Sequence, residues 1–129
     1  MNPQWVVETA ITKALLDEGN IIHITYKQDQ EETLEEAKHV LAEMKKNVSG
    51  KRFPALIDLS TVKVVSGEVR AFHAGKETAE VVVAAGLVIN NPISKVIGNF
   101  FLSINKPAYP VKLFNSADEA YAWLKQFVV

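Results

Sequence analysis

Nine consecutive apolar residues, Val81 to Ile89 (VVVAAGLVI), constrain this chain more than any other stretch. The run is too short and too rich in β-branched side chains to prefer a helix, and far below the roughly 20 residues of a membrane span. It reads as a strand buried on both faces, the condition of an interior strand in a parallel sheet covered by helices. Such a strand needs parallel neighbours and crossover helices, which the flanking sequence must supply.

The C-terminal flank reads as helix, strand and helix. Asn91 stands as a candidate cap, and Pro92 takes the first helical position, where a missing N–H costs nothing. Ile93, Val96, Ile97, Phe100, Phe101 and Ile104 follow at helical spacing as one continuous stripe, expected to face the core. Asn105, Lys106 and Pro107 end this helix. Pro110 to Phe114 is a short strand, and Ser116 to Glu119 matches a capping box ahead of a helix with Ala117, Ala120, Tyr121, Leu124, Phe127 and Val128 on one face.

Upstream, Trp5 to Leu16 alternates loosely and Ile21 to Tyr26 is rich in β-branched residues, with Asp17 to Asn20 as turn chemistry between them. This predicts a β-hairpin. Thr33 and Glu36 form another capping box, opening a helix that buries Leu34, Ala37, Val40, Leu41, Met44 and Val48 and stops at Ser49-Gly50. Phe53 to Leu59 is a strand, and a helix starting after Ser66-Gly67 turns Val69 and Phe72 inward and runs to about Ala79. The expected fold is α/β in the order ββαβαβαβα: a five-stranded mixed sheet, an N-terminal hairpin then parallel βα units, with four helices in a single domain over residues 1–129.

Composition narrows the chemistry. The chain has no cysteine, which excludes disulfides, thiolate catalysis and cysteine-based zinc sites. A formal net charge of −1 gives no electrostatic reason to expect nucleic acid or an anionic membrane as partner. With no basic segment followed by an apolar one at the N-terminus, the expectation is a cytoplasmic protein without membrane insertion.

The segment Asp58-Leu59-Ser60-Thr61-Val62-Lys63-Val64-Val65-Ser66-Gly67 resembles the strand-loop-helix of STAS domains of the anti-anti-sigma-factor type. There, a strand ending in a DLS-like sequence leads to a DSSG motif whose serine accepts a phosphoryl group. The resemblance places Ser66 on the phosphorylated serine and Gly67 on the glycine, with Val64 and Val65 in place of the aspartate and first serine. The pattern GNFFLSINKPxxPVKLF followed by SADEAYAWLKQF is similar to small STAS-like (SpoIIAA-like) bacterial proteins of unassigned function.

In open α/β sheets ligands bind outside the carboxyl ends of the strands. Those ends carry Asp58 and Ser60, Asn90 and Asn91, and Ser116; with Gly67 they form a candidate anion-binding rim of helix N-termini. The same residue types are what caps and turns require in any case. His23, His39 and His73 lie on different elements without metal-ligand spacing, so no metal or cofactor is expected. No GxSxG elbow or phosphate loop is present, so no catalytic residue is assigned. On the face of the Pro92 helix opposite its stripe, Lys95, Gly98, Asn99 and Leu102 form a candidate interface, because a glycine inside a helix points to close approach by a neighbour.

Two functions remain open. One is a non-enzymatic STAS-like interaction or regulatory module that binds a protein partner or a second copy of itself. The other is a small-molecule or lipid carrier with an apolar cavity lined by Phe72, Phe100, Phe101 and Trp123, since some of the similar domains resemble lipid-carrying proteins in topology.

Overall fold

A computed structural model describes residues 2–129. Six strands form one sheet whose spatial order is the order in sequence. They are β1 (Trp5–Glu8), β2 (Thr12–Leu16), β3 (Ile22–Tyr26), β4 (Phe53–Asp58), β5 (Val82–Val88) and β6 (Val111–Phe114). The first three are antiparallel and β3 to β6 are parallel.

The sixth strand corrects the expected count of five. Trp5 to Leu16 is two strands, because Thr9 turns the chain: its Oγ1 accepts from the N–H groups of Ile11 (3.1 Å) and Thr12 (3.0 Å). A threonine side chain takes the place of the glycine or proline that marks most turns, and pairing then runs from Trp5 opposite Leu16 to Glu8 opposite Lys13.

The helices are α1 (Leu34–Val48), α2 (Gly67–Ala74), α3 (Lys76–Ala79), α4 (Pro92–Phe100) and α5 (Ala117–Leu124). The expected second helix is interrupted at Gly75, so α2 and the single turn α3 are its two pieces. Caps decide the starts. Thr33, Ser66, Asn91 and Ser116 each accept a hydrogen bond from the backbone N–H three residues on. The boxes expected at Thr33 and Ser116 are each only half made: Glu36 accepts instead from the Thr9 hydroxyl and ties α1 to the β1–β2 turn, and at Ser116 only the bond from Glu119 N to Oγ is present. Ser49 and Gly50, with φ of 51° and 80°, end α1 in left-handed backbone.

Every parallel crossover moves to the next strand in the same direction, so α1, α2 with α3, and α4 share one face of the sheet. There Val40, Leu41, Met44, Ala74 and Phe101 join Ile24, Ala55, Leu87 and Ile89 in the larger core. After β6, α5 folds back over the other face, where Ala120 and Leu124 cover Leu56, Ala84, Val88 and Phe114. A Cβ on Gly86 would stand 3.2 Å from the Ala120 Cβ, which shows how closely α5 crosses β5. Helices on both sides explain why the apolar run that includes β5 is buried almost throughout.

The α4 helix departs furthest from expectation. Its buried residues are Ser94, Gly98 and the following Phe101, with Ile97 half-buried. Ile93, Val96, Phe100 and Ile104, expected in the core, are 49 %, 55 %, 46 % and 61 % exposed. A Cβ on Gly98 would lie 3.0 Å from Ile89 Cγ2 and 3.1 Å from Leu113 Cδ2, so the close neighbour that the glycine anticipates is the protein's own sheet. The helix is turned about 110° from the centre of its stripe, at 100° per residue. Small side chains at positions 94 and 98 let its backbone approach the sheet on that flank. The backbone then opens into a wider, π-type turn over Phe101–Asn105, ending at Lys106 with φ of 48°.

Candidate functional site

The rim residues lie at the carboxyl ends of the strands, and most are engaged in local structure. Asp58 Oδ1 accepts from Ser60 N at 2.9 Å, and Asn91 Nδ2 donates to the Ser60 carbonyl at 2.9 Å, joining the β4–α2 loop to the start of α4. Asn91 Oδ1 accepts from Ser94 N (2.9 Å), and the Ser94 hydroxyl closes the box at the Asn91 backbone. Ser66 Oγ accepts from Val69 N at 3.2 Å, and Ser116 Oγ from Glu119 N at 3.3 Å. Ser116 caps the helix on the opposite face, so it does not converge with Ser66. Asn90 and Gly67 are exposed.

The expected interface is divided by the orientation of α4. Gly98 is buried against the sheet and Leu102 is half-buried, leaving Lys95 and Asn99 on the exposed side. In their place, Ile93, Val96, Phe100 and Ile104 present an unbroken apolar ridge to solvent. The Arg70 guanidinium lies 5.8 Å from the centre of the Phe100 ring at the edge of that ridge.

Beneath the helices lies a cavity of about 90 Å³ between the sheet and α1, α2 and α4. Most of its wall is apolar, including Ile24, Val40, Met44, Phe72, Leu87 and Phe101. Of the four aromatics expected around a carrier cavity, Phe72 and Phe101 line it; Phe100 faces out, and Trp123 packs on Phe114 and Phe127 on the other face. Exposed Val64 and Gln30 also contribute, so the cavity reaches the surface between the β3–α1 and β4–α2 loops, at the carboxyl ends of β3 and β4. Val64 and Val65, the two valines that depart from the phosphorylation motif, are part of this lining.

Polar groups gather on one wall. His73 Nε2 lies 2.7 Å from Glu32 Oε1, and the Tyr109 hydroxyl donates to the His73 carbonyl at 2.6 Å. Burial, and then the nearby Glu32 charge, push the Tyr26 phenol well above its ordinary value; burial does the same for Tyr109. Both phenols are therefore neutral donors at physiological pH. Sequence reasoning missed this wall, because Tyr26, Glu32, His73 and Tyr109 have no regular spacing and meet only through the fold.

The remaining histidines are elsewhere. His23 sits with Asp17 and Tyr121 on the α5 face, and His39 is exposed on α1. Among the described residues no group of three or more His, Asp or Glu side chains is placed to hold a metal ion. None of the described helices is long and apolar enough to cross a membrane.

These features define a six-stranded mixed α/β domain with an apolar outer ridge and an inner, mainly apolar cavity. The chain belongs to the family described as Domain of unknown function (DUF7793), whose model matches residues 15–128. Among solved structures it is similar to a protein with unknown function from Arthrobacter sp. FB24, 27% identical over 86% of this chain and 96% of that one, with a TM-score of 0.34. No curated protein matches the chain.

Proposed function

We propose that the protein is a cytoplasmic, non-enzymatic STAS-like interaction module and that its ridge on α4 binds a second copy of the same chain. The observation that carries this reading is the exposure of Ile93, Val96, Phe100 and Ile104 on one side of a helix whose small residues face the sheet. A contiguous apolar patch of that kind is a common mark of an interaction site. A second copy is favoured by charge. The segment from Ile93 to Ile104 contains one ionisable residue, Lys95, and it lies off the ridge; Arg70 stands at the ridge's edge, held by the Val65 carbonyl and Asn105 Oδ1, so two ridges meet across a two-fold axis with no charge between their apolar centres. The STAS-like character is supported by the element order and by the Asp58 to Gly67 segment.

Sedimentation of the wild type and of a Val96→Asp/Phe100→Asp variant tests the interface. The wild type is expected to sediment as a dimer. In the variant, dissociation rises by at least about thirtyfold, the effect of losing a central apolar anchor. Its fold is retained, because changes at exposed positions usually stay within about 0.5 kcal/mol. A monomeric wild type, or a variant with unchanged mass, removes the proposed interface.

Ser66 is the proposed regulatory position. A phosphoryl group there adds about −1.5 to −2 charge at the N-terminus of α2, where the helix dipole tolerates it. Intact-mass measurement of protein from its native host, beside Ser66→Ala, should show the added phosphate in the parent alone. Its absence under every growth condition refutes the regulatory role.

A further inference from the structure

We infer that the inner cavity is a binding site for a small neutral amphiphile: a short apolar body carrying one carbonyl or hydroxyl group. The inference does not depend on the α4 interface. Thr12 lines the cavity at 1 % exposure, and its Oγ1 has no hydrogen-bond partner among the described residues. A buried hydroxyl left unpaired is destabilising, and an acceptor brought in by a ligand would relieve it. Thr12 is also the cross-strand partner of Tyr26, so the hydroxyl sits beside the neutral phenol on one face of the sheet, with Ile24 next along β3.

Charge and size restrict what fits. Arg70, the one Lys or Arg of the lining, already donates to the Val65 carbonyl (2.7 Å) and Asn105 Oδ1 (3.2 Å). An anionic ligand would meet Glu32 with no free cation to answer it. A cation would compete with His73 for that carboxylate. A neutral molecule avoids both costs. An apolar cavity of about 150 Å³ accepts benzene. At about 90 Å³, this one encloses roughly four non-hydrogen atoms of such a body, the remainder reaching toward the opening beside Val64, and is too small for a two-chain lipid.

Cyclopentanone and cyclopentane serve as matched probes, one with an acceptor and one without, added to the protein and followed by backbone amide NMR. Cyclopentanone should give saturable shifts centred on Thr12, Tyr26, Ile57 and Phe101, and cyclopentane weaker binding at the same place. Thr12→Val retains shape and removes the unpaired hydroxyl, so its melting temperature should rise. It should weaken cyclopentanone about tenfold, the worth of one hydrogen bond, and leave cyclopentane unchanged. Shifts that never saturate or lie outside the cavity overturn the site. Equal affinity of the two proteins for cyclopentanone, or a lower melting temperature for Thr12→Val, overturns the role of the hydroxyl.

Discussion

Asp17→Ala is expected to destabilise the protein by about 3 kcal/mol, the size associated with breaking a buried polar network. Asp17 is 7 % exposed. Its Oδ1 accepts from the N–H groups of Gly19 (2.9 Å) and Ile21 (3.0 Å), while Oδ2 accepts from the Tyr121 hydroxyl (2.8 Å) and lies 2.8 Å from His23 Nε2. One carboxylate thus shapes the β2–β3 turn and fastens α5 to it, joining residues 104 positions apart. Alanine leaves the Ile21 N–H buried without a partner and frees the C-terminal helix at that end.

The same network sets a pH dependence. Burial, the largest single influence on Asp17, pushes its carboxyl up, but the hydrogen bonds from Ile21, His23 and Tyr121 together outweigh it and hold it below the ordinary value. Its contribution is complete above the unfolded value of about 3.9 and is lost as pH falls through the lower folded one. Tyr121 acts in the opposite sense. Burial and the Asp17 contact push its phenol up to about 12, so its contribution holds below the unfolded value and fades as pH rises through the folded one. Urea unfolding at neutral pH and below pH 4 should show the wild type losing more stability on acidification than Asp17→Asn. Equal losses would show that the carboxylate is not ionised in this network.

Gly98→Leu should cost about 2–3 kcal/mol, the usual penalty for extra methylenes forced into a filled contact. At this position even a Cβ meets the Ile89 and Leu113 methyl groups at 3.0 and 3.1 Å, and the further carbons of leucine have no space without lifting α4 from β5 and β6. Gly98→Ala is a much smaller change: the gain in helix propensity of about 0.5–1 kcal/mol offsets the tight contact. Phe100→Leu, on the exposed ridge, is the internal comparison. If Gly98→Leu unfolds no more easily than Phe100→Leu, the packed flank of α4 has been assigned wrongly.

That comparison isolates what sequence reasoning could see. The α4 stripe was legible as a stripe, but it spans roughly 140° at 100° per residue, more than one sheet contact covers. Periodicity alone favours the side with the largest apolar residues. In the folded protein Ser94 and Gly98 won the inner position, because small side chains permit the closest approach of backbone to sheet. The Gly98 expectation was therefore half informative: close approach was right, and the approaching partner was internal. Similarly, the rim residues were recognised at the carboxyl ends of the strands, but their local hydrogen bonds leave little that converges on a ligand. The polar wall of the cavity had no sequence signal, since Thr12, Tyr26, Glu32 and His73 come from four separate elements or loops.

By itself, the sequence determined the local structure. Thr33, Ser66, Asn91 and Ser116 start their helices because each offers an oxygen to an otherwise unpaired amide. The apolar run at Val81 to Ile89 became a strand covered on both sides, because so long a β-branched segment has no exposed face to offer. Only the tertiary structure decided which flank of α4 is buried, that α5 alone crosses the far side, and that a cavity opens beside Thr12. Those outcomes depend on how closely whole elements approach one another, a property of paired surfaces that no single segment encodes.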